Sequence, residues 1–228
     1  MNIDNSILKH YLRNCYFING TAYAGKSTIC AMLAERFDMV HCEENYNLET
    51  ILRIADPDRH PNICYMNTKP SWEHFVSRTP AEYEAWIDGN NRELAEFEIA
   101  ELIRLSSDRK VIVDTNIPTE ILWQISDYDH VAIMLSPQAM SADRFFDRTD
   151  PEKQFLLSVI EKCPDPKATL DNFRNCIAAV NSPERYNAFL NSGFFTLIRP
   201  NDGRDTRAEM LAALTDHFGL KRGTYDKV

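Results

Sequence analysis

The sequence predicts an α/β fold of three layers, α/β/α, built on a five-stranded parallel sheet with a helical lid and insertion. Three observations carry that expectation. Short apolar runs rich in β-branched and aromatic residues alternate with longer stretches of helical spacing, the pattern of βαβ units. The runs are apolar nearly throughout rather than alternating, as strands covered on both faces are. The longer stretches repeatedly open on proline, at Pro80, Pro137, Pro151, Pro166 and Pro183, which the first helical turn accepts.

Taken along the chain, the first strand is Cys15–Asn19, and Ser27–Phe37 follows as a helix with Ile29, Met32, Leu33 and Phe37 on one face. Met39–Cys42 is the second strand. Residues Asp56–Thr79 hold Pro57, Pro61 and Pro70 among Tyr65, Trp72 and Phe75 with weak periodicity, and an irregular binding loop is expected there. Pro80–Leu105 reads as one long helix, with Asp88-Gly89 as its point of bending. The remaining strands are Lys110–Asp114, Val131–Leu135 and Phe194–Ile198. Pro137–Arg148, Pro151–Lys162, Pro166–Val180, Pro183–Leu190 and Thr206–His217 complete the expected helices. Repeats, low-complexity tracts and linkers are missing from the pattern. One domain is therefore expected over residues 1–228, with an insertion around 56–92 and a lid segment around 137–165.

Composition narrows the function. At 228 residues the chain is long enough to bury a core without staples. A net charge of −9 argues against a nucleic-acid partner, since phosphate backbones are held by clustered Lys and Arg; a small phosphorylated ligand needs only a local positive pocket. No stretch approaches the roughly 20 apolar residues of a membrane span, and the N-terminal segment has neither the basic start nor the apolar run of a signal peptide. The expected compartment is the cytoplasm, with no membrane partner. The six cysteines are scattered without a CxxC pair, so reduced core thiols fit better than zinc ligands.

The most informative segment is Gly20-Thr21-Ala22-Tyr23-Ala24-Gly25-Lys26-Ser27, followed by Thr28. A GxxxxGK[ST] pattern between a strand and a helix is a phosphate-binding loop. Gly20 lets the backbone leave the strand with unusual dihedrals. Gly25 brings backbone N–H groups near phosphate oxygens without an intervening Cβ, and the helix beginning at Lys26 points its unpaired N–H groups at the anion. Lys26 supplies an ammonium for the β- and γ-phosphates of ATP, Ser27 a hydroxyl for Mg²⁺, and Thr28 a second hydroxyl. A dinucleotide loop is excluded, because its middle glycine would be Ala22. Asp114 closes the strand Lys110–Asp114 with a carboxylate suited to hold Mg²⁺ beside Ser27. Thr115 stands where motor-like ATPases carry a glutamate to activate water, and no Asn-Lys-x-Asp guanine reader occurs. Both point toward phosphoryl transfer.

On GTAYAGKST, on VIVDTN and on the Arg-bearing segment after the fourth strand, the chain resembles the P-loop kinase superfamily, which includes nucleoside, nucleotide, shikimate and polynucleotide kinases. The resemblance implies a phosphotransferase using ATP and Mg²⁺ on a small-molecule acceptor. It assigns Arg144 and Arg148 as lid arginines that close over the transferring phosphoryl group, and Glu43 or Glu44, after the second strand, as the base or positioning carboxylate. It also sets Arg199–Gly203 near the adenine, and places the acceptor within 56–92. Two other classes stay open, a nucleotide-binding regulatory ATPase and a polynucleotide 5′-kinase. Acceptor identity and oligomeric state, homodimer included, are left undetermined.

Overall fold

The computed structural model of the chain describes residues 3–138, 140, 145–146 and 151–221. Its strands are β1 (Cys15–Gly20), β2 (Val40–Cys42), β3 (Val111–Asp114), β4 (Val131–Leu135) and β5 (Phe195–Ile198), all parallel in one open sheet of order β2-β3-β1-β4-β5. Every residue of β3 and β4 is buried, as are the first five of β1. That is why these runs lack polar alternation: side chains on both faces need cover. The five strands fall where the apolar runs place them, to within a residue at either end.

The chain divides into two compact units. The first comprises residues 1–48, 95–137 and 188–228 and carries the sheet. On one face, Ile18, Ile112 and Met134 join Ile29 and Leu33 of α2 (Lys26–Phe37) and the Met210 and Leu214 side chains. The alternating positions Phe17, Val113 and Ile133 point to the other face and are equally buried. Helices α1 (Asn5–Tyr11), α7 (Thr119–Ile125) and α11 (Arg207–His217) also belong to this unit.

The second unit comprises residues 49–94 and 138–187, and its described elements are helices. Here the structure corrects the expectation of an irregular Asp56–Thr79. After α3 (Leu48–Ile54), that stretch folds into α4 (Pro61–Thr68) and α5 (Trp72–Val76). The N-terminus of α4 is capped by the Glu93 carboxylate, which accepts from Asn62 N at 3.0 Å and Ile63 N at 2.9 Å. The cap comes from about thirty residues downstream, which is why local spacing does not announce the helix. Ser71 Oγ caps α5 in the ordinary way, accepting from His74 N at 3.0 Å.

Helix α6 (Pro80–Leu105) opens on a capping box, with Thr79 N donating to Glu82 Oε2 at 2.8 Å and Glu82 N to Thr79 Oγ1 at 3.3 Å. It continues as unbroken helix through Asp88-Gly89. Helices α8 (Pro151–Ile160), α9 (Pro166–Val180) and α10 (Pro183–Leu190) follow. The core of this unit is aromatic. Buried Phe75, Tyr83 and Phe173 meet Tyr65, Trp72 and Trp86, with Phe75 standing perpendicular to Trp86 at 5.4 Å between centroids, a favoured edge-to-face pairing. Among the described residues no helix is long and apolar enough to cross a membrane.

Candidate functional site

In a parallel sheet all strands end on one edge, and ligand crevices open where the succession of strands changes side. Here that point is β1, with β3 and β2 laid on one flank and β4 and β5 on the other. The loop that leaves β1 at this edge is Gly20–Ser27. Gly20 has φ +132°, and a Cβ there would overlap the Met134 carbonyl of the neighbouring strand. Thr21 fastens the loop to the end of β4: its N–H donates to Met134 O at 3.1 Å, and its Oγ1 accepts from Ser136 N at 2.7 Å. Asn19 braces the other side, donating through Nδ2 to Ile117 O at 2.7 Å and accepting Gly20 N at 2.6 Å. Ala22, Tyr23 (φ +64°) and Ala24 carry the loop over to Gly25, left-handed at φ +93° and N-cap of α2. No side chain caps this helix, so its first-turn N–H groups face outward as donors. Nothing lies within 4 Å of where a Gly25 Cβ would stand.

Three functional groups converge beside the loop. Ser27 Oγ donates to Asp114 Oδ2 at 2.6 Å; Lys26 Nζ lies 3.9 Å from Asp114 Oδ1 and donates to Thr21 O at 3.4 Å. Lys26 and Asp114 are both buried. Burial pushes the Asp114 carboxyl above its usual range, and the Lys26 ammonium and the Ser27 hydroxyl act against that rise. Asp114 Oδ1 is buried without a hydrogen-bond partner. An unsatisfied buried carboxylate oxygen beside a hydroxyl is the hard-oxygen donor pair that suits Mg²⁺, which takes one or two protein oxygens and completes its shell with phosphate and water. Accordingly it needs no larger acidic cluster, and among the described residues no group of three or more His, Cys, Asp and Glu is placed to hold a metal.

The end of β3 distributes its next two side chains to two further carboxylates. Thr115 Oγ1 donates to Glu98 Oε2 at 3.1 Å while accepting Ile117 N at 3.0 Å. Asn116 Nδ2 donates to Glu44 Oε1 at 2.7 Å. Glu43 and Glu44 sit on an exposed turn after β2, closed by Tyr46 N donating to Glu43 O at 2.9 Å. Glu98 belongs to no motif. Its one signal in the sequence is spacing, since it lies four residues from Leu94 and four from Leu102 on the buried stripe of α6. Burial raises its carboxyl to about 7, opposed by the Thr115 hydrogen bond and reinforced by Glu44 and Asp114.

Glu98 makes stability pH-dependent. Below pH 4.5 the group is protonated in both folded and unfolded chains. Between there and pH 7 only the unfolded chain ionises, so its contribution is lost as pH rises. Glu98→Gln keeps an acceptor for Thr115 but cannot ionise. From pH 4 to pH 8 the stability of Glu98→Gln relative to the parent should therefore rise, by about 3 kcal/mol. Denaturant unfolding at the two pH values checks this; parallel curves would remove the buried-acid assignment.

On the far side of the loop an open cleft of about 370 Å³ is lined by Ala24, Thr28, Ile29, Met134, Arg199 and Met210, with residues 203–207 closing it. Arg199 donates from Nη1 to Tyr23 O at 3.0 Å, tying the segment after β5 to the loop. The lining of the cleft is mixed: Ile29, Met134 and Met210 offer apolar surface for a flat ring, and Thr28, Arg199, Arg204, Asp205 and Arg207 offer polar groups around it. The structure thus brings together Gly20–Thr28, Asp114 and Glu44. Arg144 and Arg148 lie outside the described residues. No protein-family model matches the chain, and no curated protein matches it significantly.

Proposed function

We propose that the chain is an ATP- and Mg²⁺-dependent kinase of the P-loop type, transferring a phosphoryl group to a small-molecule acceptor. The observation that carries the reading is the Lys26–Ser27–Asp114 constellation at the mouth of an uncapped helix: the buried Asp114 carboxylate meets the Ser27 hydroxyl at 2.6 Å and the buried Lys26 ammonium at 3.9 Å. In this reading the outward N–H groups of the 20–28 loop bind the phosphates, and Lys26 balances charge at the β- and γ-oxygens. Ser27 and Asp114 would hold Mg²⁺, whose chemistry is to neutralise charge on the β,γ-oxygens. The cleft beside Thr28 and Arg199 takes the base. The acceptor oxygen forms the new P–O bond as the bridging bond to ADP breaks, and its proton passes to Glu44 or Glu43.

Thr115 favours transfer over hydrolysis: its hydroxyl is engaged by Glu98 and Ile117 N, leaving that position without a group to activate water. The reading is tested by thermal shift with a non-hydrolysable ATP analogue and Mg²⁺, screened against nucleosides, nucleotides, sugars and shikimate-like acids. A member of the panel should raise the melting temperature beyond the nucleotide alone, and should accelerate ADP formation from ATP. Slow ATP consumption that no acceptor accelerates, together with a stable nucleotide-dependent protein complex, would instead establish a regulatory ATPase.

A further inference from the structure

In the second unit, Arg78 forms no ion pair among the described residues. Arg78 occupies the turn between α5 and α6, where its carbonyl accepts from Asn172 Nδ2 at 2.7 Å and Cys176 Sγ at 3.3 Å. Those bonds hold the backbone, and the guanidinium is held by rings. Its Cζ stands 3.7 Å from the Tyr65 ring centroid, 5.4 Å from Trp86 and 6.0 Å from Phe75. Tyr65 is itself fixed by the 3.1 Å contact of its hydroxyl with His74 Nδ1.

Among the described residues no hydrogen-bond acceptor is placed at the Arg78 Nη1. Nη1 is buried without a hydrogen bond, and among the described residues no carboxylate forms an ion pair with Arg78. The nearby Glu82 carboxylate is already committed to Thr79 N and Oγ1, at 2.8 and 2.9 Å. The same unit shows how an arginine is ordinarily satisfied: Arg185 lies between Glu84 at 2.8 Å and Asp88 at 2.6 Å. In a chain with 34 acidic against 25 basic residues, acid is not scarce. A buried N–H donor left without an acceptor is unfavourable, and natural structures leave few. A planar guanidinium stacked on aromatic rings is also the group best shaped to grip an oxyanion by two parallel hydrogen bonds. Arg78 is half-buried as a residue, so part of its fork stays reachable.

We propose that Arg78 anchors an oxyanion site, taking the phosphate or carboxylate of a small ligand. On the kinase reading this ligand is the acceptor, which therefore carries an anionic group as well as its hydroxyl.

The test uses the full chain and matched probes: inorganic phosphate, a nucleoside with its 5′-monophosphate, and shikimate with its methyl ester. Binding is followed by tryptophan fluorescence, since Trp86 adjoins Arg78. In the parent protein at least one anionic member should bind roughly tenfold or more tightly than its neutral partner. Arg78→Gln should level that pair and leave binding of the ATP analogue unchanged, while Arg78→Lys, a charge without a fork, should fall between. Equal binding within both pairs in the parent, or a preference that survives in folded Arg78→Gln, overturns the site. Should Arg78→Gln not fold, the Arg78 Nε–H resonance of the parent decides: it must shift with the anionic probe, and a stationary signal overturns the site. Failure of the kinase reading looks different. Anion binding that depends on Arg78 without phosphorylation of any acceptor leaves this site standing and removes the kinase. Phosphorylation of neutral acceptors that is indifferent to Arg78→Gln does the reverse.

Discussion

Lys26→Ala is expected to lower phosphoryl transfer by roughly a hundred- to a thousandfold, the loss seen when one pre-placed electrostatic donor is removed from a transition-state site. Nζ is buried and points along the loop, 3.4 Å from Thr21 O and 3.9 Å from Asp114 Oδ1. The fold should survive, because the side chain makes one long hydrogen bond and lies at the rim of the sheet. Removing it takes away the main influence holding the Asp114 carboxyl down against burial. Asp114 then protonates more readily instead of remaining as an uncompensated buried charge. The variant should thus melt within a few degrees of the parent while its ADP formation collapses. Steady-state turnover and a melting curve on the same preparation check this, and undiminished turnover in a folded variant would falsify the kinase assignment.

The second large effect separates the two glycines of the loop. Gly20→Ala should unfold the first unit or lower its melting temperature by more than about 10 °C. The new methyl would enter the Met134 backbone carbonyl, which already accepts Thr21 N in the buried β1–β4 pairing, and a backbone carbonyl inside a sheet has nowhere to go. Overpacking of about 1–3 kcal/mol adds to a similar strain from φ +132°. The sum approaches the margin of a domain stable by about 5–15 kcal/mol, at about 2–4 °C per kcal/mol for this size. Gly25→Ala carries the backbone strain of φ +93° but meets no atom within 4 Å. It should fold with a smaller loss, and its penalty should fall on ATP binding. Melting curves with and without ATP·Mg²⁺ distinguish them. Equal stability losses in the two variants would contradict the structural division of labour.

How much of this was legible in the chain depends on how far apart the contributing residues lie. The loop 20–27 is contiguous, so its glycines, Lys26 and Ser27 could be read together, and Asp114 announced itself as the polar end of an apolar run. Helices α4 and α5 did not, because Glu93, midway along a 26-residue helix, caps the first of them from about thirty residues downstream. Their apolar residues also serve a shared aromatic core rather than a clean stripe.

By itself, the sequence determined the α/β class and the positions of the five strands, and it singled out the loop Gly20–Ser27 between β1 and α2, because each is a matter of neighbouring residues and of period. Only the tertiary structure decided which carboxylates and cations matter. Glu98 is set apart from the other acids of α6 by the burial that pairs it with Thr115, and Arg78 by the rings that surround it and by a buried Nη1 that meets no acceptor among the described residues. Charge is written in the residue; its solvation is not, and solvation decides whether a charged group is inert surface or a site.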